Sequence, residues 1–374
     1  MSYLGENIPK LGFGLMRLPM LGEEVDVEQV KEMVDLFLDA GFTYFDTAYG
    51  YIGGKSEKAI KEALVDRYPR DSFQLATKLP AWAGPKTAEE AQQMFYTSLE
   101  RTGAGYFDFY LLHNLGDVRT GFYEDFGIWD FAKEKMAEGK IRHLGFSFHG
   151  TPPQLREILE KHPEAEFVQL QINYADWENP VIRSRECYEV AREFNKPVVI
   201  MEPVKGGMLA SPPEAVAEIF RKADPSASLA SWAIRFAASL DGVITVLSGM
   251  SSQEQMEDNL SYMEHFRKLS PEEQDVVKKA QEVLNSIPLI PCTNCNYCAK
   301  VCPQDIGISR IFNAMNLLTL YGNKTQAQRQ YNNIRGIFRK STAEECIHCG
   351  QCEDVCPQHI LIRDELERGK ELFG

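Results

Sequence analysis

Apolar positions along the first 285 residues follow two alternating rhythms. Mainly apolar runs of five to seven residues recur at Leu11–Leu15, Phe42–Asp46, Phe73–Lys78, Phe107–His113, Ile141–Ser147, Phe167–Ile172, Pro197–Met201 and Val243–Leu247. Runs of that length without alternation suit strands buried on both faces. Between them lie amphipathic stretches: Val27, Val30, Val34 and Phe37 share one helical face, and Gly41 supplies a stop. Thr87 with Glu90 and Thr151 with Gln154 have the spacing of capping boxes, and Asn179-Pro180 is expected to open a further helix. On that helix Cys187 stands at helical spacing with Val190, Ala191 and Phe194, which makes it a core residue and not a nucleophile. Eight strand-then-helix units predict an α/β chain whose parallel strands close into a (β/α)8, or TIM, barrel. The rhythm stops at residues 285–291, Asn-Ser-Ile-Pro-Leu-Ile-Pro, where two prolines interrupt the pattern. The boundary is therefore expected there, with a barrel over 1–285 and a smaller, mainly helical domain over 286–374.

The second segment is marked by cysteine. Eight of the nine cysteines fall between Cys292 and Cys356, with Cys187 alone outside. The start Met-Ser-Tyr-Leu-Gly-Glu-Asn lacks the basic flank and apolar core of a secretory leader, so a reducing compartment, and metal binding over disulfides, is the expectation. Cys292, Cys295, Cys298 and Cys302 before Pro303 form C-x2-C-x2-C-x3-C-P, and Cys346, Cys349, Cys352 and Cys356 before Pro357 repeat it. That spacing puts three thiolates on one cubane and sends the fourth to the other. The expected sets are Cys292, Cys295, Cys298 with Cys356, and Cys346, Cys349, Cys352 with Cys302. Paired C-x2-C also binds zinc, but two proline-terminated runs of four favour iron-sulfur. His348, inside the second run, is expected to tune a cluster and not to ligate it. The two runs resemble the two-[4Fe-4S] ferredoxin family. The stretch between Cys302 and Cys346 is longer than in small bacterial ferredoxins, and Ile308–Leu320 has helical periodicity, which is closer to the helical ferredoxin modules fused to other redox enzymes.

Composition narrows the partners. Of 374 residues 44% are hydrophobic and 25% charged, an ordinary globular balance. Lys plus Arg number 40 against 54 Asp plus Glu, a net charge of −14, which repels nucleic acid and anionic membranes. No apolar run approaches the roughly 18 residues of a membrane span. A cytoplasmic protein is expected.

In a barrel of this kind, chemistry belongs to residues at the C-terminal strand ends. Asp46, Lys78 and His113 each end an apolar run, and Tyr51 follows Asp46 in Asp-Thr-Ala-Tyr-Gly-Tyr. Singly they fit structural duties as a cap, a strand end, a core imidazole and a packed loop ring. Together they form a proton-transfer set, because a Lys paired with an Asp lowers the pKa of a nearby phenol.

Phe-Asp-Thr-Ala-Tyr-Gly-Tyr, Ala-Thr-Lys, Asp-Phe-Tyr-Leu-Leu-His and Gly-Lys-Ile-Arg-His-Leu-Gly-Phe-Ser occur in that order. Over roughly residues 5 to 285 the chain resembles the aldo-keto reductases. The resemblance implies Tyr51 as general acid, Lys78 and Asp46 as its electrostatic tuners, and His113 as the residue that orients a substrate carbonyl. It implies an oxidoreductase moving hydride reversibly between a nicotinamide and a small carbonyl or alcohol substrate. It places Ser147 and Gln171 on the nicotinamide carboxamide, although Phe148 replaces the Asn that often follows the Ser. Met201 stands where an aromatic usually stacks on the nicotinamide, and Gly206 and Gly207 permit close approach to a pyrophosphate. Gly249-Met250-Ser251-Ser252 opens a helix suited to phosphate, with Ser251 among the candidate contacts. The family's phosphate-reading Lys and Arg fall near Gly249 and Gln255, and Asn259 is retained at the adenine position. NADP and NAD both remain open, with flavin as a third cofactor.

Hydride carries two electrons and a cubane one. Three readings follow for the two [4Fe-4S] clusters: a structural role, a relay from a partner ferredoxin or other electron-transfer protein through a flavin, or one-electron chemistry without nicotinamide. A scaffold with an inert barrel is the reading from another class. Trp82 and Trp177, with Tyr51, either wall an aromatic substrate slot or simply pack the loops or the attached module, His149 on a mouth loop is a substrate contact or an exposed loop residue, and residues 114–125 are a lid or a plain connector.

Overall fold

A computed structural model describes residues 3–116, 119–180, 182–292, 296–356 and 358–374. Backbone contacts divide them into two units, one running to Ala210 and resuming over Ser226–Val277, the other comprising Ser211–Pro225 and Lys278–Gly374.

In the first unit the strands are β1 (Leu11–Gly14), β2 (Met20–Leu21), β3 (Glu24–Val25), β4 (Tyr44–Asp46), β5 (Gln74–Leu79), β6 (Phe107–Leu115), β7 (Ile141–Phe148), β8 (Phe167–Gln171), β9 (Val198–Met201) and β10 (Val243–Ser248). β2 and β3 form a separate antiparallel hairpin. The other eight run parallel and close a barrel, each beside its chain neighbour, with β1 paired to both β4 and β10. The apolar runs thus become the barrel, and the two-residue hairpin strands are too short to carry a readable period.

Helix ends follow side-chain chemistry. Asp26 accepts from the Gln29 amide at 3.2 Å and starts Val27–Asp39, whose Val30, Val34 and Phe37 are buried. Phe37 stacks on Phe42 at 5.3 Å and meets Phe45 edge-on at 5.2 Å, locking the helix to the barrel wall. Thr151 and Gln154 make a complete capping box. Thr87 caps Ala88–Thr102, but the Glu90 carboxylate accepts from the Lys86 amide at 2.7 Å, one residue earlier than a reciprocal box requires. The helix expected from Asn179-Pro180 begins instead at Ser184. Asn179 accepts from the Ile182 amide at 3.0 Å through its own Oδ1, a local turn that competes with helix. Cys187 is buried on that helix, as its spacing indicated.

Strand alternation sorts the barrel interior. Tyr44, Ala76, Phe109, Phe167 and Val199 form an apolar layer within one buried cluster. Two residues further along each strand, on the same face, stand Asp46, Lys78, Leu111, Gln169 and Met201. Gly145 of β7 is required by contact, because a Cβ there would lie 2.5 Å from the Phe167 carbonyl oxygen. The next residue on its face, Ser147, therefore sits beside β8 at the polar level.

The second unit is helical, with Tyr297–Val301, Ile308–Tyr321, Lys324–Gly336, Gln351–Asp354 and Ile362–Phe373 besides Glu214–Ala223. Ile311, Phe312, Met315, Ile334 and Leu366 are buried, and Tyr331 stacks on Phe373 at 4.9 Å while its hydroxyl bonds the Glu344 carboxylate at 2.9 Å. Among the described residues no helix is long and apolar enough to cross a membrane.

Candidate active site at the barrel mouth

A cavity of about 900 Å3 lies over the C-terminal strand ends, and Asp46, Tyr51, Lys78 and His113 all line it. Lys78 and Asp46 end up on one face of adjacent strands, Asp46 standing opposite Ala76, two residues before Lys78. The Lys78 ammonium donates to Asp46 and, at 2.7 Å, to the Thr47 carbonyl. Tyr51 opens a short turn in which Ile52 and Gly53 have φ of 51° and 63°, folding the loop back over the mouth. The Lys78 ammonium lies 4.9 Å from the centroid of its ring, and the His113 ring meets it edge-on at 5.9 Å.

Burial and charge compete in this set. Burial pushes the Tyr51 phenol above its ordinary value, with Lys78 pulling against it and Asp46 adding to the rise. The sequence suggested a net lowering; desolvation outweighs the ammonium, and the phenol stays protonated. Burial alone would lower Lys78, but Asp46 and Tyr51 overcome it and keep the ammonium charged. His113 is held well below its ordinary value by burial, then by Lys78, His149 and Arg119, so its imidazole is neutral. Its Nδ1 is buried with no partner among the described residues.

The other sequence-derived positions divide. Ser147 lines the cavity and accepts from the Asn114 amide at 2.7 Å. Gln171 does not line it: its side-chain amide donates to Asp176 at 3.0 Å. Gln169 lines it instead, two residues deeper on the same face, with a buried Oε1 that has no partner among the described residues. Parity cannot separate these two glutamines, only depth can. Met201, Gly206, Gly207 and Gly249 line the cavity, the first two glycines with φ of 65° and 95°. Ser251 does not; its hydroxyl donates to the Arg17 carbonyl at 2.7 Å. Gln255 and Asn259 reach the wall, but Gln255 accepts from the Ser251 amide and Asn259 is bonded to Ser248 and Tyr262. Trp82 and His149 line the mouth, whereas Trp177 packs on Tyr188 and Phe236.

Sequence reasoning missed Arg17. It lines the cavity after β1, with Nη2 3.1 Å from where a Gly206 Cβ would stand and Cδ 3.4 Å from that of Gly249. Gly206 leaves room for its guanidinium and Gly249 for its aliphatic stem. Its only signal was a charged residue two positions past the end of an apolar run.

In the second unit, Cys302, Cys346, Cys349 and Cys352 line one small cavity with His348. The fourth cysteine of one run thus joins the first three of the other. Cys295 lies outside the described residues, as does Pro357. Both runs turn alike after their second cysteine: Asn296 and Gly350 have φ of 60° and 83°, and the short helices they precede bury Cys298 and Cys352. His348 hydrogen-bonds Glu367 at 2.8 Å. Among the described residues no three His, Cys, Asp or Glu side chains close on a single-ion site.

The aldo/keto reductase family profile matches residues 10–282, and that of a 4Fe-4S dicluster domain matches residues 291–361. An aldo-keto reductase of Mycolicibacterium smegmatis is 25% identical over 213 residues, 56% of this chain and 69% of that protein. The uncharacterized oxidoreductase YqkF of Bacillus subtilis is 24% identical over 296 residues, 71% and 90% of the two chains. The holo form of aldo-keto reductase AKR11C1 from Bacillus halodurans superposes with a TM-score of 0.60 at 25% identity, covering 75% of this chain and 95% of that one. An aldo/keto reductase of Klebsiella pneumoniae, solved with NADP and acetate, gives 0.58 at 22%, covering 73% and 91%, a likeness of fold.

Proposed function

The chain belongs to the aldo/keto reductase family and carries a 4Fe-4S dicluster domain, and from that premise we propose that this oxidoreductase reduces a carbonyl compound with a nicotinamide dinucleotide. The observation that carries the reading is the convergence of Tyr51, His113 and the Lys78–Asp46 pair on one cavity wall.

The cavity suits the dinucleotide. The unpartnered Gln169 Oε1 is an acceptor for a carboxamide N–H, Met201 offers a flat apolar contact, and Arg17 between Gly206 and Gly249 offers charge to a pyrophosphate. When bound, a reduced nicotinamide supplies hydride to the carbonyl carbon. Tyr51 Oη gives its proton to the carbonyl oxygen. The phenolate left behind is stabilised by the Lys78 ammonium, which Asp46 and the Thr47 carbonyl hold in place. Neutral His113 hydrogen-bonds the same oxygen and orients it.

In the dicluster domain the fitting observation is the four-thiol cavity of Cys302, Cys346, Cys349 and Cys352, with Cys292, Cys298 and Cys356 as the described members of the other set. Bound clusters pass single electrons, whereas the carbonyl step moves a pair, so that step is complete without them.

The test is anaerobic purification with iron and flavin determined, then aldehyde reduction by NADH and NADPH in the wild type and in Tyr51→Phe. Loss of turnover in Tyr51→Phe with iron content unchanged supports the reading. Equal activity in both proteins leaves the barrel as a scaffold.

A further inference from the structure

Arg119 is held beside the mouth, backing the lining residues Trp82 and Asn114 without itself lining the cavity, by neutral partners in a chain of net charge −14. Within the barrel unit, arginines such as Arg70, Arg101 and Arg235 pair with carboxylates. Arg119 has no ion-pair partner among the described residues. Its guanidinium lies 5.0 Å from the centroid of Trp82 and donates to the Asn114 side-chain oxygen at 3.1 Å. Both of those residues line the cavity.

The mount is rigid on both sides. Trp82 Nε1 donates to the His113 carbonyl at 2.8 Å, and its ring stands 6.3 Å from the His113 imidazole. Asn114, next to His113, has φ of 61°, in the left-handed region, and its amide is fixed to Ser147 Oγ. Both supports are therefore anchored to the segment that carries the carbonyl-orienting imidazole. A guanidinium has five N–H donors, and one is spent on Asn114. The aromatic face stabilises the cation without neutralising it.

Neighbouring groups agree on where the charge is felt. Arg119 helps keep both His113 and His149 neutral. Around His113 there are thus two positive groups, the Lys78 ammonium and the Arg119 guanidinium, and two uncharged imidazoles. The carboxylates Glu202, after β9, and Glu254 and Asp258, on the helix Gln253–Met263 after β10, also line the cavity.

We propose that the carbonyl substrate carries a carboxylate about a ring's length from its carbonyl, and that Arg119, stacked on Trp82 and tied to Asn114, binds it. The proposal rests on the carbonyl-reductase reading and adds the substrate class. Arg119 acts in recognition, and the proton and hydride steps stay with the residues already named.

The test uses the cluster-loaded full chain with 4-carboxybenzaldehyde and its methyl ester, in the wild type, Arg119→Gln and Arg119→Lys. The same proteins are titrated calorimetrically with 4-(hydroxymethyl)benzoate in the presence of oxidised nicotinamide dinucleotide. The expected wild-type preference for the acid is roughly tenfold or more in kcat/KM, expressed in KM, as a charge-assisted hydrogen bond implies. It collapses in Arg119→Gln and is partly rescued by Arg119→Lys, which keeps charge but loses the planar fork. An acid-to-ester ratio that is the same in all three proteins overturns the proposal and leaves carbonyl reduction standing. If neither aldehyde turns over, carbonyl reduction is the reading that fails. Calorimetry then decides alone, and 4-(hydroxymethyl)benzoate binding that does not weaken in Arg119→Gln overturns the carboxylate site.

Discussion

Lys78 and Asp46, on neighbouring strands, form an ion pair with side chains only 1% and 3% exposed. Such a pair costs little while both members are present, but removing one strands a charge. Asp46→Asn is therefore expected to cost about 3–5 kcal/mol in urea unfolding, the usual penalty for a broken buried pair. Aldehyde reduction should fall by roughly a hundredfold or more, since the phenolate loses its oriented counter-ion. The double variant Asp46→Asn/Lys78→Met should regain much of the stability and none of the activity. A single variant as stable as the wild type would show that Lys78 is neutral in the fold.

The same burial sets the pH response. Tyr51 lies above its ordinary 10.0, so the phenol remains a loaded acid through neutral pH, and reduction should decline only above pH 10. His113 lies well below 6.5, so the acid limb of kcat/KM for an uncharged aldehyde should fall well below pH 6.5. The linkage sign follows: the unfolded chain takes up the His113 proton at about 6.5, while the folded chain resists it. Stability is then full above 6.5 and is lost as pH falls toward the depressed folded value. His113→Gln should flatten that part of a melting-temperature profile between pH 7 and 5. A bell-shaped rate profile with an inflection at 6.5 would contradict the neutral, buried imidazole.

Gln169 and Gln171 offer a paired test, because both face inward on β8 and only Gln169 lines the cavity. Gln169→Leu should raise the KM for the nicotinamide roughly tenfold, the value of one hydrogen bond to a bound amide. Gln171→Leu should act on stability through Asp176, which also holds Asn173 at 2.9 Å and Lys205. Steady-state kinetics with varied cofactor separates the two. A larger KM effect at Gln171 would return the carboxamide contact to that residue.

Gly145→Ala is expected to cost about 1–3 kcal/mol or more, the range for overpacking. The added carbon would meet the Phe167 carbonyl and ring, at 2.5 and 2.6 Å, between two paired strands. Because Ser147 shares that strand, the variant should also weaken cofactor binding. A melting temperature within a degree of wild type would mean β7 and β8 separate at no cost.

Eight buried strands were legible because short, mainly apolar runs between capped helices suit strands covered on both faces. The meeting of Asp46, Tyr51, Lys78 and His113 at one cavity was legible because each ends such a run or follows it closely, and alternation then brings Asp46 and Lys78 to one face. Depth along a strand was not legible, which is why Gln171 was expected at the cavity that Gln169 lines. Hydroxyl orientation was not legible either: Ser251, read as a phosphate contact, turns to the Arg17 carbonyl. Arg17 and Arg119 act through loops whose course depends on distant packing, and no local period marks them. At Asn179 the side chain chose a turn over a helix cap, a choice between two bonds of similar strength.

Cys302 tests whether the two cysteine runs exchange their last ligand. It shares a cavity with Cys346, Cys349 and Cys352, although 43 residues of the sequence separate it from the first of them. The runs turn identically at Asn296 and Gly350, so each forms a loop whose fourth thiol stands beyond its own helix. Cys302→Ala should then deplete the cluster held by the second run, roughly halving bound iron, while Cys356→Ala should deplete the one held by Cys292 and Cys298. Cys187→Ala, at a buried thiol 3.9 Å from the Gly150 carbonyl, should leave both clusters in place. Paramagnetic resonance of the reduced proteins distinguishes the cases, because two neighbouring cubanes couple magnetically and a single remaining one gives an uncoupled signal. To assign the survivor, each variant is combined with Cys349→Ala. Cys302→Ala/Cys349→Ala should retain the iron of Cys302→Ala, since both thiols serve one cluster, and Cys356→Ala/Cys349→Ala should lose nearly all of it. The opposite pattern would mean that each run keeps its own fourth cysteine.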